Sequence, residues 1–479
     1  MSFLSGSDRQ QTHFLPPALE DYIGADNPVR FLDAFVVSLD LLQAGFLFPK
    51  ESALGSGRPG YHPADLLKLY LYGYLQQLRS SRRLEAECHR NLEVIWLMRE
   101  LKPDHKTIAD FRKNNAAAFK AVVREFTLLC RRLDLFGGQL LAVDGSRFKA
   151  SNAPGQNWTG LRLQRELERV EARIDEYLKA LEQSEMDTQG GSPTVSAVEL
   201  QEKIARLNEY KGQIEQRAQS LTQSGQTQIS GTDPDARAMH AADGGYVIGY
   251  NVQAAVDAKH HMLVTAEATN SAADQGQLAP VVREAKETLE IKNAAVVADA
   301  GYYRAQDIQN CQQMGIEAHV CTPRNSPSAR AGLYDKNAFT YDPGRDCYHC
   351  PAGAELKFRS QIKDKGRLLR IYVNRKACRS CALKSKCTRS PARMISRWEH
   401  EGVLERMEKA KLAEPEKLTR RRELIEHCWA TLKTILAGGF IVRGLVKVKA
   451  EINLAHFAYN LKRAVSVCGI QALLAAISA

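Results

Sequence analysis

The sequence predicts an α/β domain with a mixed sheet, preceded by a helical domain and interrupted by two insertions, and three observations carry this prediction. Short apolar runs that end in an acid, LLAVD at Asp144 and AAVVAD at Asp299, are typical of buried strands. Around these runs, apolar residues recur at the spacing of helices. Two segments depart from both patterns: a Glu- and Gln-rich stretch over 160–224 and a cysteine-rich stretch over 323–399.

Length and charge limit the kind of protein this is. The chain has 479 residues, too many for one hydrophobic core, which suggests about two to four domains. A formal net charge of +11 favours a polyanionic partner, usually nucleic acid. Between Arg345 and Arg397 there are 15 Lys and Arg against three acids, a local charge of +12. The positive charge therefore lies in one segment.

Membrane and secreted classes are disfavoured by the sequence. It has no uninterrupted apolar run of about 18 residues, and its start, MSFLSGSDRQQTHF, lacks the features of a signal peptide. Five of the eleven cysteines lie between Cys347 and Cys387, unlike the framework of a secreted disulfide-rich protein. We expect a cytosolic protein in which these cysteines bind metal.

Residues 1–136 are predicted to form the helical N-terminal domain. The segment ADLLKLYLYGYLQQL has leucines at helical spacing, SSRRLEAECHRNLEVIWLM begins with Ser80 or Ser81 as an N-cap, and a third helical segment follows Pro103. Basic residues at the helix ends would suit a helix-turn-helix-like DNA reader. A plain helical bundle explains the pattern slightly better, and both interpretations stay open.

The α/β domain is predicted over 137–322 and 400–479. Its first strand ends at Asp144, although Asp-Gly is also a common turn pair. YVIGYNVQAAVD and HHMLVTAEATN are predicted to form an antiparallel hairpin, followed by a helix, the strand that ends at Asp299, a short helix and the strand IEAHVCTP.

The segment 160–224 is predicted to be an inserted helical hairpin with coiled-coil character. Two apolar stripes flank the breaker DTQGGSPT, which indicates two long helices. The stripes consist of Leu167, Val170, Ile174, Leu178 and Leu181, and of Leu200, Ile204, Leu207, Ile214 and Leu221. We expect this hairpin to act in spacing or self-association.

The cysteine-rich insertion, 323–399, is predicted to bind Zn²⁺ in a small zinc-ribbon-like fold. CYHC and CRSC are C-x-x-C elements, which present paired thiolates to one tetrahedral ion. Four ligands are enough, so one of the five cysteines is spare. The expected ligands are Cys350, Cys378, Cys381 and Cys387, with Cys347 as the alternative. The surrounding Lys and Arg suit contact with a phosphate backbone.

The helix predicted over Arg420 to Lys433 carries the third acid. At helical spacing, Arg422, Glu426 and Lys433 share one face. The opposite face is apolar and consists of Leu424, Cys428, Leu432 and Ile435. Taken alone, the polar face suits a salt-bridged surface equally well.

Three acids on separate elements, Asp144, Asp299 and Glu426, could converge on one point. Carboxylates on a rigid scaffold suit Mg²⁺ or Mn²⁺, and two such ions can support an in-line displacement at phosphorus.

These motifs together resemble those of DDE-type bacterial insertion-sequence transposases with an RNase H-like catalytic domain. Arg422, Glu426 and Lys433 match the family's Y-(2)-R-(3)-E-(6)-K motif, Asp144 in AVDGSRF matches its first acid, and Asp299 in ADAGYY its second. The order of strands and helices also matches, and RPGYHP and AYNLKR are similar to segments of members with a cysteine-rich insertion. One departure is Thr419, which stands where the motif has tyrosine.

The resemblance implies an enzyme that cuts DNA at the terminal inverted repeats of its own element and joins the 3′ ends to target DNA. Asp144, Asp299 and Glu426 would hold Mg²⁺ or Mn²⁺, while Arg422 and Lys433 would contact the DNA backbone. A homodimer would hold the two element ends together, at the nucleoid. Two alternatives are a catalytically silent, transposase-derived DNA-binding protein and a metal-dependent nuclease without strand transfer.

Overall fold

The computed structural model describes residues 18–49, 59–186, 195–225, 227–240, 244–323, 327–364 and 366–478. The N-terminal segment MSFLSGSDRQQTHF and the breaker DTQGGSPT therefore lie outside the described residues, as does Arg58 of the RPGYHP segment.

Within the described residues, six α-helices make up the N-terminal region, where the apolar spacing predicted three helical segments. They are α1 (Pro28–Ser38), α2 (Pro63–Leu75), α3 (Ser81–Arg90), α4 (Leu92–Leu97), α5 (His105–Asn114) and α6 (Phe119–Arg132). The single helix expected from Ser81 to Met98 is divided at Asn91, whose backbone is extended and whose side chain caps α4 by accepting from the backbone N–H of Glu93. Asn91 therefore ends one helix and starts the next, as asparagine does well at an N-cap.

A mixed sheet of six strands forms the centre of the α/β region. Its strands are β1 (Leu140–Lys149), β4 (Arg237–His240), β5 (Tyr246–Asp257), β6 (Leu263–Thr269), β7 (Ala294–Ala298) and β8 (Ile316–Val320). The order is β4-β5-β1-β7-β8, and β6 also pairs with β5. β1 is antiparallel to β5 and parallel to β7, which is parallel to β8. The predicted hairpin of β5 and β6 is confirmed.

The helical hairpin lies between the first and second long strands of this sheet. It consists of α7 (Gly160–Met186) and α8 (Val195–Ser224), and the short strands β2 (Asn157–Thr159) and β3 (Gln228–Ser230) pair at its base. Its buried core contains Trp158, Leu163, Val170, Ile214 and Leu221. The two predicted stripes thus pack mainly on each other, with Trp158 as an anchor at the base.

Helices cover the sheet on both sides. α9 (Leu278–Leu289) packs on β5 and β6, and α10 (Ala305–Gln313) packs on α9 and β8. α14 (Glu401–Ala413) packs on β8, and α15 (Pro415–Ile435) crosses β1, β5, β7 and β8. Under α15 lies an apolar cluster of Leu140, Ala142, Ala295, Val297 and Leu424.

The last helix, α16 (Leu445–Ser478), joins the N-terminal helices to the sheet. It contacts β6 on one side and α1, α2 and α6 on the other, and Phe457 packs against Phe35 and Phe126 with ring centroids 5.6 and 4.8 Å apart. The fully buried Glu451 forms an ion pair of 3.0 Å with Arg79. These contacts make the helical region and the sheet parts of one continuous core.

By length and composition alone, α16 is apolar enough to span a membrane, with a mean hydropathy of 1.4 over an 18-residue window of which 22% is buried. A core helix has the same composition. The side chains of Asn453, His456 and Asn460 are buried in the protein, and the Asn460 amide bonds both the N–H and the C=O of Leu263. The helix also kinks at Gly469, where φ is +76°.

The cysteine-rich segment contains a second sheet with strands in the order β13-β12-β11-β10-β9, all antiparallel. The strands are β9 (Thr340–Asp342), β10 (Cys347–His349), β11 (Glu355–Asp364), β12 (Arg367–Val373) and β13 (Met394–Trp398). Short helices α11 (Pro327–Arg330), α12 (Arg375–Arg379) and α13 (Lys384–Cys387) adjoin it. The sequence predicted the cysteine turns, but a five-stranded sheet was not expected.

Gly249 of β5 leaves no room for a side chain against the neighbouring strand β1. A Cβ added there would lie 1.9 Å from the carbonyl oxygen of Phe148 on the neighbouring strand. Gly249→Ala should therefore push β5 from β1 and cost about 3 kcal/mol of unfolding free energy. We expect a lower urea midpoint by circular dichroism, whereas Gly212→Ala, with open space around it in α8, should gain up to about 1 kcal/mol. An unchanged midpoint for Gly249→Ala would contradict the close packing of the two strands.

Candidate active site

Asp144 lies in the middle of β1, on the face that α15 covers. The strand continues to Lys149, so the prediction that it ends near this acid is wrong. Alternation along the strand puts it on the same side as Leu140 and Ala142, which are buried beneath that helix. Its carboxylate accepts a hydrogen bond of 3.2 Å from the indole N–H of Trp429, and the guanidinium of Arg421 is 3.6 Å away. With its side chain about 20% exposed, Asp144 is a nearly buried acid held by two groups of one helix.

The surroundings of Asp144 disfavour its charged form. The pKa of this carboxyl is raised to about 6, mainly by burial; the charge of Arg421 opposes the shift and the negative charge of Asp299 adds to it. A carboxylate that is costly to ionise beside a second acid is a site where a cation would be stabilising.

Asp299 follows the last residue of β7 and caps the short 3₁₀ turn Ala300–Tyr302. One carboxylate oxygen accepts from the backbone N–H of Gly301 at 2.8 Å. β1 and β7 are parallel neighbours, and Ala142 lies opposite Val297. Asp144 and Asp299 each follow two residues later, so both acids lie at the same edge of the sheet. The structure therefore brings Asp144 and Asp299 together, close enough for the charge of one to raise the pKa of the other.

A third acid at this edge, Asp274, was not predicted. It lies in the loop between β6 and α9, and one carboxylate oxygen accepts from the side-chain amides of Asn251 and Gln253 at 2.7 and 2.8 Å. A Cβ added to Gly301 would lie 3.0 Å from Asp299 and 3.5 Å from Asp274, so the two acids flank that glycine. The available signal was a pair of amides, Asn251 and Gln253, at alternate positions of an otherwise apolar strand.

Tyr302 lies among all three of these aspartates. Burial raises the pKa of its phenol well above the usual value, and the charges of Asp274, Asp144 and Asp299 raise it further. Its hydroxyl donates to the side-chain oxygen of Gln253. The tyrosine therefore stays neutral and links the acidic cluster to the core.

The polar face of α15 is exposed, as predicted: Arg422, Glu426 and Lys433 face solvent while Leu424, Cys428, Leu432 and Ile435 are buried. The side chains that face Asp144, however, are Arg421 and Trp429, with the buried Ile425 between them at a spacing of four. The sequence interpretation assigned no role to Arg421 or Trp429.

Glu426 lies on the flank of α15 beside this line of residues. It follows Ile425 and is therefore turned by about 100° around the helix axis. Among the described residues, no hydrogen bond or ion pair joins the side-chain carboxylate of Glu426 to another group. The structure thus brings two of the three expected acids together and leaves the third exposed nearby on the covering helix.

Two neighbours of this face have structural contacts. His427 packs against Tyr459, with its Nδ1 3.4 Å from the phenol oxygen. Thr419, at the motif tyrosine position, is exposed, and its hydroxyl donates to the backbone C=O of Pro415 within the helix.

Four cysteines line one cavity in the cysteine-rich segment: Cys350, Cys378, Cys381 and Cys387. Burial raises the pKa of Cys387, the three other thiols raise it further, and the charge of Arg393 opposes them. Cys347 lies elsewhere, buried in β10 beside His349. The structure thus gathers the four thiols that were expected to act together and separates the fifth.

The four thiols are more widely spaced than a closed metal site. Among the described residues, the sets of three ligand atoms within 4.8 Å of one another are Asp342, Cys347 and His349, and Glu317, His319 and Glu414. A tetrahedral zinc ion with Zn–S distances of about 2.3 Å would therefore have to draw the four sulfurs inward.

Two family models match the chain. One, described as Transposase domain (DUF772), matches residues 17–114, and one, described as Transposase DDE domain, matches residues 349–465. The second match includes α15 with Glu426, whereas Asp144 and Asp299 lie between the two matches.

Among solved structures, the cryo-EM structure of a piggyBac transposase synaptic complex with hairpin DNA is similar at 9% identity, over 95% of this chain and 79% of that chain. Its TM-score is 0.28, too low to support an inference about this fold. No curated protein matches the chain.

Proposed function

With a transposase domain near its amino end and a transposase DDE domain near its carboxyl end, this chain is a DDE-type transposase, and we propose that it cuts DNA strands at the ends of its element and joins the 3′ ends to target DNA. The observation that supports this chemistry is the pair of acids at one sheet edge, Asp144 and Asp299, with the pKa of Asp144 raised to about 6. DNA transposition is the function; the individual strand reactions are the proposal.

The proposed catalytic domain is RNase H-like and consists of residues 137–322 and 400–479. The sheet order supports it, with β1 central, β5 antiparallel on one side, and β7 and β8 parallel on the other. Residues 1–136 form the proposed DNA-binding domain at the amino end.

Asp144, Asp299 and Glu426 are the proposed ligands of Mg²⁺ or Mn²⁺, which would activate the attacking oxygen and stabilise the leaving one. Carboxylates are the donors that these ions prefer, which supports the assignment. Trp429 holds one oxygen of Asp144 by its hydrogen bond. Arg421 partly balances the negative charge before a cation binds. Arg422 and Lys433, exposed on the same helix, are proposed to contact phosphates.

The exposed hairpin of β11 and β12 supports DNA contact by the cysteine-rich segment. Lys357, Arg359 and Lys363 are exposed along β11, and the guanidinium of Arg370 lies 4.7 Å from the ring centroid of the exposed Phe358. A basic two-stranded ribbon with aromatic groups can enter a DNA groove and neutralise phosphates. Binding should weaken steeply with salt.

The synaptic homodimer remains a proposal, and the helical hairpin of α7 and α8 is its proposed contact. Leu178 is 42% exposed on this hairpin, which supports a surface that a second copy could cover.

Strand cleavage and joining can be tested on DNA that carries the sequences flanking the gene, with a supercoiled plasmid as target and Mg²⁺ present. We expect free 3′ ends and joined products from the wild type. Cleavage without joining would support the nuclease alternative. Binding without cleavage would support the silent DNA-binding protein.

Glu426→Gln tests the third ligand, and its matched control is Glu423→Gln, an exposed glutamate on the same helix. Loss of a metal-binding carboxylate should slow cleavage at least about 100-fold, whereas the control should cut normally. If Glu426→Gln cuts like the wild type and Asp274→Asn does not, the third acid is Asp274.

Gly145 separates Asp144 from the amide network that holds Asp274. A Cβ there would lie 2.5 Å from the Gln253 amide nitrogen and 2.6 Å from an Asp274 oxygen. Gly145→Ala should therefore displace Asp274 and shift the aspartate cluster, slowing cleavage about 100-fold, since a misplacement of about 1 Å can cost this much. DNA affinity, measured by fluorescence anisotropy, should stay near the wild-type value. Normal cleavage would show that the Asp274 network does not position the site.

A further inference from the structure

One face of the second sheet carries metal-ligating side chains. Residues two apart in a strand share a face, so Cys347 and His349 of β10 lie side by side. In the antiparallel registers, Asp342 of β9 stands opposite Cys347, and Glu355 of β11 stands opposite His349. This face therefore carries one thiol, one imidazole and two carboxylates, together with Lys357 opposite Cys347 and Thr340 opposite His349.

Three of these groups lie close enough to share an ion. The sulfur of Cys347 is 4.0 Å from Nε2 of His349, which is 3.9 Å from a carboxylate oxygen of Asp342, and all three atoms lie within 4.8 Å of one another. Zn–S of about 2.3 Å and Zn–N of about 2.0–2.1 Å, separated by a tetrahedral angle, place S and N about 3.6 Å apart. The separation of the Cys347 sulfur and His349 Nε2 is thus about 0.4 Å longer than in a zinc site, and the Asp342 oxygen lies within 4.8 Å of both atoms.

The carboxylate of Asp342 is already oriented for this role. Its Oδ1 accepts hydrogen bonds from the backbone N–H groups of Gly344 and Arg345 at 2.9 and 3.2 Å. The atom near His349 is the other oxygen, Oδ2. The turn between β9 and β10 therefore fixes one oxygen and presents the second to the imidazole.

The charges at this face also suit a cation. Burial raises the pKa of the Cys347 thiol, the carboxylates of Glu355 and Asp342 raise it further, and the charges of Arg345 and Lys357 oppose them. Glu355 forms an ion pair with Arg345, so it is a neighbour of the three ligand groups rather than a fourth ligand. A divalent ion would stabilise the thiolate where the carboxylates now oppose it.

The other set of three close ligand atoms belongs to Glu317, His319 and Glu414, and its two acids already form ion pairs with a lysine. Near His319, the ammonium of Lys417 lies 2.5 Å from Glu414 and 3.8 Å from Glu317. A cation of the protein already balances those two acids. Arg345 pairs with Glu355 and Lys357 lies opposite Cys347, but among the described residues Asp342 forms no ion pair with a Lys or Arg. The set around Cys347 is therefore the stronger candidate.

We propose that Asp342, Cys347 and His349 bind a second zinc ion, separate from the four-cysteine cavity, with water in the fourth position. His349 and Asp342 are 39% and 33% exposed, which leaves room for that water on the open side of the sheet. The ion would tie edge strand β9 to β10. This inference depends neither on the strand chemistry nor on zinc in the cavity.

Zinc content of the full chain tests the inference. Protein stripped with a chelating resin, reloaded with Zn²⁺ and desalted should hold two zinc ions per chain by mass spectrometry of the metal. Cys347→Ser, His349→Gln and Asp342→Asn should each hold one. Cys321→Ser, a partly buried cysteine outside both sets, should hold two.

Substitutions in the two sites should have different effects. His349→Gln should lose one ion and keep the cavity ion, whereas Cys381→Ser, which should unfold the sheet that carries Asp342, Cys347 and His349, should lose both. His349 and Asp342 are partly exposed, so their variants should fold even if Cys347→Ser does not, and circular dichroism checks this. Zinc content unchanged by both His349→Gln and Asp342→Asn in folded protein would overturn the inference. A wild-type protein that holds a single zinc ion, lost only in Cys381→Ser, would also overturn the inference.

Discussion

Asp144→Asn should abolish metal-dependent DNA cleavage and, at the same time, stabilise the metal-free protein. Cleavage should fall because the amide cannot replace a charged metal ligand, and the loss should exceed about 1,000-fold if both ions depend on it. DNA binding should remain, since Asp144 is nearly buried and contacts Trp429 and Arg421. Gel-based cleavage and thermal unfolding of the same preparations measure both effects.

The stabilisation follows from the raised pKa. An ordinary aspartate has a pKa of 3.8, and burial raises that of Asp144 to about 6, so the folded state binds the proton more tightly than the unfolded state. Folding is therefore penalised as the pH rises from about 4 to 6, and the full penalty is present above that range. A shift of about two units corresponds to roughly 2–3 kcal/mol, which Asp144→Asn should recover at pH 7.5.

The matched control is Asp175→Asn, an exposed aspartate on α7. It should change neither the unfolding temperature nor cleavage. The raised pKa also predicts that Mn²⁺ affinity, followed by electron paramagnetic resonance, declines below about pH 6, because the ion must then displace a proton. An Asp144→Asn variant that cuts DNA, or that unfolds at a lower temperature than the wild type, would contradict this account.

Cys381→Ser should release zinc from the four-cysteine cavity and unfold the surrounding sheet. In small metal-dependent domains the binding energy of zinc is about 10–16 kcal/mol and is largely the folding energy. The core around this sheet is small, with Phe339, Tyr348, Leu356, Tyr372 and Ile395 as its buried members. We expect little compensation from packing once the ion is lost.

Limited trypsin digestion is a direct measurement, because this segment is rich in Lys and Arg. The variant should be cut between 345 and 397, and its DNA affinity should fall as the basic hairpin loses its shape. Cys468→Ser, on α16, is the control and should keep its zinc and its resistance to trypsin. If Cys381→Ser keeps both, the cavity is a cluster of structural thiols.

Local sequence patterns predicted those parts of the site whose secondary structure and burial depend on residues close to them in the chain. The apolar runs before Asp144 and Asp299 formed strands, since four or five consecutive apolar residues are best buried in the middle of a sheet. The two faces of α15 were predicted by helical spacing, with Glu426 exposed and Cys428 buried.

Other members of the site depend on contacts between distant segments. Asp274 has no strand before it and becomes part of the acidic cluster only through Asn251 and Gln253 of another strand. Arg421 is one of three successive arginines, and only the angle at which α15 crosses β1 selects it to face Asp144.

The sequence by itself determined the acids on their strands, the helical hairpin, the apolar side of α15 and the group of cysteines. Each of these follows from periodicity or spacing within one segment, which the chain imposes locally. Only the tertiary structure places Asp274, Trp429 and Arg421 around Asp144 and Asp299. It also separates Cys347, which lies beside His349, from the other four cysteines of the segment. Those outcomes depend on strand register and helix crossing, which the packing of the whole core sets.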